Sequence, residues 1–149
     1  RWQQGRAAPV MLRLIRPGDN MTYARRGDTV KVHYVGTLED GTNFDSSRDS
    51  GEPFVFIVGA EEVISGFDMG VMRMSLGERS VVHVPNAWAY GDQGSADGVI
   101  PPMADLDFDV ELLEVKEGND RGIEVEQCYK LSDAELARYY VPDGDILDD

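Results

Sequence analysis

Apolar residues recur at every second position in several stretches of the chain, the spacing that turns one face of an extended strand into a core and the other into water. Over residues 29–36, Val30, Val32 and Tyr34 share one face while Lys31 and His33 take the other. Residues 53–59 repeat the pattern with Phe54, Phe56 and Val58. Residues 106–112 alternate most cleanly, with Leu106, Phe108, Val110 and Leu112 set against Asp107, Asp109 and Glu111. Residues 78–84 read as a further strand. Residues 10–15 read as the first one, closed by the turn signal Arg16-Pro17-Gly18-Asp19-Asn20. Asp40-Gly41 supplies hairpin chemistry, since Gly accepts the positive φ that such turns need. The period changes at Phe67, Val71 and Met74, spaced as one stripe of a short helix, with Gly77 as its expected terminator. Residues 87–102 are rich in Gly and end in Pro101-Pro102, which predicts a long loop. The expected fold is α+β: a twisted antiparallel β-sheet of about five strands wrapped on one short α-helix that covers its apolar face.

Beyond Val115 the alternation stops. Ser132-Asp133-Ala134-Glu135 matches a capping box, predicting a second short helix over residues 133–140 that Pro142 ends, with a frayed acidic tail after it. The chain therefore divides into a flexible lead (1–8), one domain (9–117) and an acidic C-terminal extension (118–149). A length of 149 residues suits one domain with short appendages, and 42% hydrophobic with 28% charged residues is a soluble globular composition. The net charge of −14 is unevenly placed: +5 over residues 1–27, −13 over 28–115 and −6 over 116–149. So acidic a chain is not built to meet nucleic-acid phosphates. The basic arm reads as solvated, or as a contact for an acidic partner or for this domain's own surface. No apolar run reaches the roughly 20 residues of a membrane span. Cys128 is the single cysteine, so no intramolecular disulfide forms. The first residue is Arg1 and not Met, which leaves the compartment unread and processing for an organelle lumen open.

Familiar catalytic signatures are absent. There is no Gly-x-Ser-x-Gly elbow, no phosphate-cradling loop and no metal-ligand spacing, so neither a cofactor nor a metal is expected. Asp143, Asp145 and Asp148 lack the Gly and terminal Glu of a calcium loop. His33 and His83 read as lone surface residues of strands. What stands out is the supply of aromatics on inward strand positions and in loops: Tyr34, Phe44, Phe54, Phe56, Phe67, Tyr90 and Phe108. They serve either as plain core or as the walls of a pocket.

Eight fragments bear on that choice. They are Val32-His33-Tyr34-Val35-Gly36, Leu38-Glu39-Asp40-Gly41, Phe44-Asp45-Ser46-Ser47, Pro53-Phe54-Val55-Phe56, Val63-Ile64-Ser65-Gly66-Phe67, Ala89-Tyr90-Gly91, Ile100-Pro101-Pro102 and Leu106-Asp107-Phe108-Asp109-Val110-Glu111-Leu112. In this order, residues 28–115 resemble the FKBP family, the tacrolimus- and rapamycin-binding immunophilins. The resemblance implies a peptidyl-prolyl cis-trans isomerase that acts on proline-containing polypeptides without a cofactor and is open to macrolide inhibitors. It implies a pocket lined by Tyr34, Phe44, Asp45, Phe54, Phe56, Val63, Ile64, Phe67, Tyr90, Val99, Ile100 and Phe108, with Asp45, Tyr90 and Phe108 closest to catalysis. Phe67 stands where the best-known members carry Trp. The loop over the site is lengthened at Ser95-Ala96-Asp97, and one further residue precedes Ala89. On this reading the aromatic rings clasp the pyrrolidine and Tyr90 donates to the substrate carbonyl. Asp45 either orients Tyr34 or a nearby cation, or caps the turn at Ser46-Ser47. The alternative is a catalytically weak FKBP-like module that docks on a larger assembly, with its termini as the protein contact. A holding chaperone fits less well, because residues 86–102 contain no long apolar run.

Overall fold

The computed structural model describes residues 8–118. Six strands form one antiparallel sheet: β1 (Met11–Arg16), β2 (Thr29–Thr37), β3 (Asn43–Ser46), β4 (Phe54–Ile57), β5 (Arg79–Val84) and β6 (Leu106–Lys116). Their order is β1-β5-β6-β2-β3, with β4 also paired to β2. β2 is long enough to hold two partners on one edge: Thr29–Val32 pairs with β4, and Val35–Thr37 pairs with β3. Six strands thus fill five positions, in agreement with the expectation of about five. Between β3 and β4 the chain makes a one-turn helix, α1 (Ser47–Ser50), whose first free amides at Arg48 and Asp49 bond to the Ser46 hydroxyl. No apolar period marks so short an element, and it was not foreseen.

The strand alternation places Val30, Val32, Val82, Val84, Leu106, Val110 and Leu112 in the core at 0–1% exposure, against α2 (Ser65–Met72). In β6 the alternation ends at Leu112 because Leu113 is the extra residue of a bulge, where Val32 pairs with Leu112 but Lys31 pairs with Glu114. The helix differs from expectation at its end. α2 stops at Met72 with Arg73 as its cap, Met74 lies buried just past it, and Gly77 (φ 91°) serves the turn into β5. Two glycines explain how closely α2 approaches the sheet. A Cβ at Gly70 would lie 2.5 Å from Val82 Cγ1, and one at Gly66 would collide with Val84 Cγ1. Without those side chains the helix settles onto β5, and Phe67 is carried to the floor of the sheet's concave face.

The opposite face is solvated and carries paired charges. Glu111 receives Arg16 (2.6 Å) and Arg48 (2.8 Å), and Arg79 grips Asp109 with two bonds of 2.9 Å. The histidines are not isolated, as the sequence had suggested. His33 Nδ1 lies 2.9 Å from Ser47 Oγ, and His83 Nδ1 lies 2.7 Å from Asp107 Oδ1. Among the described residues no helix is long and apolar enough to cross a membrane. The helix expected over 133–140, the acidic tail, Cys128 and residues 1–7 of the basic arm lie outside the described residues.

Candidate active site

Where the sheet curls away from α2, aromatic side chains from six separate segments converge. β2 contributes Tyr34. The hairpin at Asp40-Gly41, closed by Leu38 N–H donating to Thr42 O (2.9 Å), returns the chain as β3 with Phe44 and Asp45. β4 adds Phe54, the β4–α2 segment adds Glu62, Val63 and Ile64, α2 adds Phe67, the long loop adds Tyr90 and β6 adds Phe108. These ten residues line a cavity of about 170 Å³.

The rings meet edge to face, as their quadrupoles favour. Phe67 and Phe108, 4% and 5% exposed, form the floor with centroids 5.0 Å apart at 88°. Phe44 closes one wall against Phe108 (5.7 Å), and Tyr34 touches Phe54, Phe67 and Phe108 at 5.6–6.1 Å. Room for this packing comes from Gly36, where a Cβ would stand 2.6 Å from Phe44 Cζ and 3.0 Å from Phe108 Cε1.

Polar groups enter the apolar walls at three places. The Tyr34 hydroxyl donates to Asp45 Oδ2 at 2.6 Å, while Asp45 Oδ1 accepts from Ser46 N–H at 2.9 Å. Capping of α1 falls to Ser46, and the carboxylate of Asp45 serves Tyr34. Burial, and then this bond, push the Tyr34 phenol well above its ordinary value. Tyr90 sits at the rim, 40% exposed. Its phenol is raised too, by burial first and then by the charges of Asp97 and Asp45, so it stays an un-ionised donor at neutral pH. The third group is Glu62, whose Oε1 accepts from Ile57 N–H at 2.9 Å.

Nine of the twelve expected pocket residues line the cavity: Tyr34, Phe44, Asp45, Phe54, Val63, Ile64, Phe67, Tyr90 and Phe108. Three do not. Phe56, 2% exposed, backs the wall, stacked on Phe54 (5.4 Å) and edge-on to Phe67 (5.7 Å). Ile100 is buried in the base of the long loop, where its N–H meets Ser95 Oγ and its carbonyl meets Ser95 N–H, both at 2.9 Å. Val99 projects from the same loop, half exposed. Glu62 was missed, since a charged residue carries no apolar period; its one signal is its place beside Val63 and Ile64. No group of three or more potential metal ligands occurs among the described residues.

The site is an apolar aromatic cavity with a few polar groups among its walls, set where the sheet wraps on a short helix. Residues 21–113 match the family model of the FKBP-type peptidyl-prolyl cis-trans isomerases, and the chain belongs to that family. It is 53% identical over 106 residues to FK506-binding protein 1 of Yarrowia lipolytica, covering 71% of this chain and 97% of that protein. It is also 53% identical over 102 residues to the peptidyl-prolyl cis-trans isomerase Fkbp12 of Drosophila melanogaster (68% and 94%). With the peptidyl-prolyl cis-trans isomerase FKBP1A of Xenopus laevis it shares 50% identity over 107 residues (72% and 98%).

Proposed function

We propose that this chain accelerates cis-trans rotation about X–Pro bonds by binding the proline ring in the aromatic cavity. The observation that carries the reading is the floor made by Phe67 and Phe108 with the Tyr34–Asp45 pair and the Tyr90 phenol above it. Rotation about an X–Pro amide faces a barrier of about 18–20 kcal/mol set by its partial double bond, and unassisted it takes tens to hundreds of seconds. No bond is made or broken, so the catalyst has only to bind the twisted amide better than the planar one.

The planar amide is stabilised by charge separation that water supports. In a cavity of four phenylalanine rings that support is withdrawn, and the twisted amide, which has less resonance, loses less. The substrate carbonyl turns toward the rim, where the Tyr90 hydroxyl donates to it. Asp45 does not approach that carbonyl as a bare charge, because its Oδ2 is taken up by Tyr34. The same cavity accepts macrolide ligands such as tacrolimus and rapamycin, with affinity limited by Phe67, a smaller floor than the Trp of the best-known members.

The test is isomerisation of a short X-Pro-Phe peptide by the full chain beside Phe108→Leu and Tyr90→Phe. Phe108→Leu keeps an apolar core but loses the ring wall, and kcat/KM is expected to fall by about tenfold or more, with Tyr90→Phe falling severalfold. Unchanged rates in both folded variants would refute this assignment of the site.

A further inference from the structure

Behind the pocket floor lies a charge that the isomerase chemistry does not use. Asp68 follows Phe67 in the first turn of α2 and is wholly inaccessible, at 0% exposure. Its Oδ1 accepts the Gly59 amide at 3.0 Å, whereas its Oδ2 is buried without a hydrogen-bond partner. A buried carboxylate oxygen left unpaired is costly and is retained in few places without a role.

The bond to Gly59 matters because of where it sits. Gly59 (φ 81°) opens the connection from β4 to α2, which also holds Glu61 at φ 63°. This six-residue segment ends at Ile64 and presents Glu62, Val63 and Ile64 to the cavity. Its hydrogen bonds to the rest of the domain are Gly59 N–H to Asp68, Ile57 N–H to Glu62 Oε1 (2.9 Å), a long Ala60 N–H to Ile57 O (3.4 Å) and, at its far end, Ile64 O accepting from the Phe67 and Asp68 amides (3.0 and 3.2 Å). The helix start thus fixes the Ile64 end, and at the Gly59 end the bond to Asp68 is the one that reaches a buried side chain.

We propose that Asp68 is a positioning residue for the proline pocket: its buried carboxylate holds the 59–64 segment through the Gly59 amide, and its ionisation state sets how firmly Val63 and Ile64 are presented to the substrate. An amide bond to a carboxylate is roughly twice as strong as one to a neutral acceptor. The ionised form therefore clamps the segment and the protonated form relaxes it. The charged groups around Asp68 set the balance. Burial pushes its carboxyl up to about 6, the Gly59 amide and Arg26 draw it down, and Glu62 and Glu61 push it up again. Val82 and Val84 of the sheet pack on the other side of α2, at Gly70 and Gly66. Two of those charges, Glu61 and Glu62, belong to the held segment, so its position and the ionisation of Asp68 are coupled in both directions.

The kinetic arm of the test rests on the isomerase reading; the spectroscopic arm does not. In the full chain, kcat/KM for a peptide with no ionisable group between pH 5 and 8 is expected to fall about fivefold as pH drops through the titration of Asp68, mainly through KM. Asp68→Asn keeps an amide oxygen for Gly59 without the charge. Its profile is expected to be flat at the wild-type acid level. His33→Gln and His83→Gln, which remove the chain's two histidines, are expected to keep the step. Independently, the Gly59 and Ile64 amide resonances of the wild-type chain are expected to titrate together, and to lose that titration in Asp68→Asn. A wild-type profile that Asp68→Asn reproduces, or Gly59 and Ile64 amides that stay still from pH 4.5 to 8, would overturn the proposal. A chain without isomerase activity whose two amides still titrate together, and stop doing so in Asp68→Asn, would sink the catalytic reading and leave the clamp standing.

Discussion

Replacing Gly36 by Ala tests whether the pocket wall is set by a missing side chain. Gly36 lies within β2, paired to Asp45 and Phe108, and has no positive φ, so the backbone itself tolerates Ala. The new Cβ would stand 2.6 Å from Phe44 Cζ and 3.0 Å from Phe108 Cε1, where ordinary contact begins near 3.4 Å. Phe108 cannot retreat, because Phe67 packs edge-on against it at 5.0 Å. Phe44, half-buried on the edge strand β3, must therefore withdraw by about 0.8 Å, into the cavity mouth. Overpacking of this kind costs about 1–3 kcal/mol, offset by about 0.5–1 kcal/mol from the loss of a strand glycine. The net expectation is a loss of about 1 kcal/mol in urea unfolding. Misplacement of a wall by about 1 Å is far more serious for catalysis. kcat/KM for the X-Pro-Phe peptide is expected to fall about tenfold, or about 1.4 kcal/mol. In a Phe44→Leu background, which has no Cζ to displace, Gly36→Ala should cost little more, so the two changes couple strongly in a double-mutant cycle. A folded Gly36→Ala chain with wild-type kcat/KM, or penalties that simply add, would refute the reasoning.

Two further outcomes follow from the polar groups. Tyr34→Phe removes the 2.6 Å bond to Asp45; a stability loss of about 1 kcal/mol and a severalfold fall in kcat/KM are expected by urea unfolding and peptide kinetics. His83 is raised chiefly by its bond to Asp107, then by the charges of Asp107, Asp105 and Glu39, with burial opposing. A raised folded value means that this pairing stabilises fully below the ordinary histidine value of about 6.5 and is lost as pH rises through the folded one. Between pH 6 and 8.5 the urea midpoint should drop further in the wild-type chain than in His83→Gln, a comparison in which Asp68 cancels; equal drops would contradict the assignment.

The strands were legible because each buries one face only, so Val30 against Lys31 and Leu106 against Asp107 announce both the element and its orientation. That signal fails wherever geometry, not periodicity, decides. The four residues of α1 are set by the Ser46 hydroxyl. Gly36, Gly66 and Gly70 act by what they lack, and nothing in a single chain marks which glycine faces Phe44, Val84 or Val82. The pocket's aromatic walls were read from the family's pattern, and the rings that the pattern grouped do converge. Phe56 and Ile100, named by the same pattern, lie behind the lining: alternation marks Phe56 as inward but not its layer, and Ile100 sits in a loop where no alternation applies. Glu62 and Asp68 were invisible for the opposite reason: polar residues at apolar sites break the pattern that finds the site.

The central claim is that the Phe67–Phe108 cavity turns over X–Pro bonds. Exchange between the cis and trans forms of an X-Pro-Phe peptide, measured by magnetisation transfer with substoichiometric full chain, tests it most directly. Exchange well above the unassisted rate, abolished by Phe108→Leu and by a ligand that fills the cavity, is the predicted result. A folded chain that binds the peptide and leaves its exchange at the unassisted rate would contradict it.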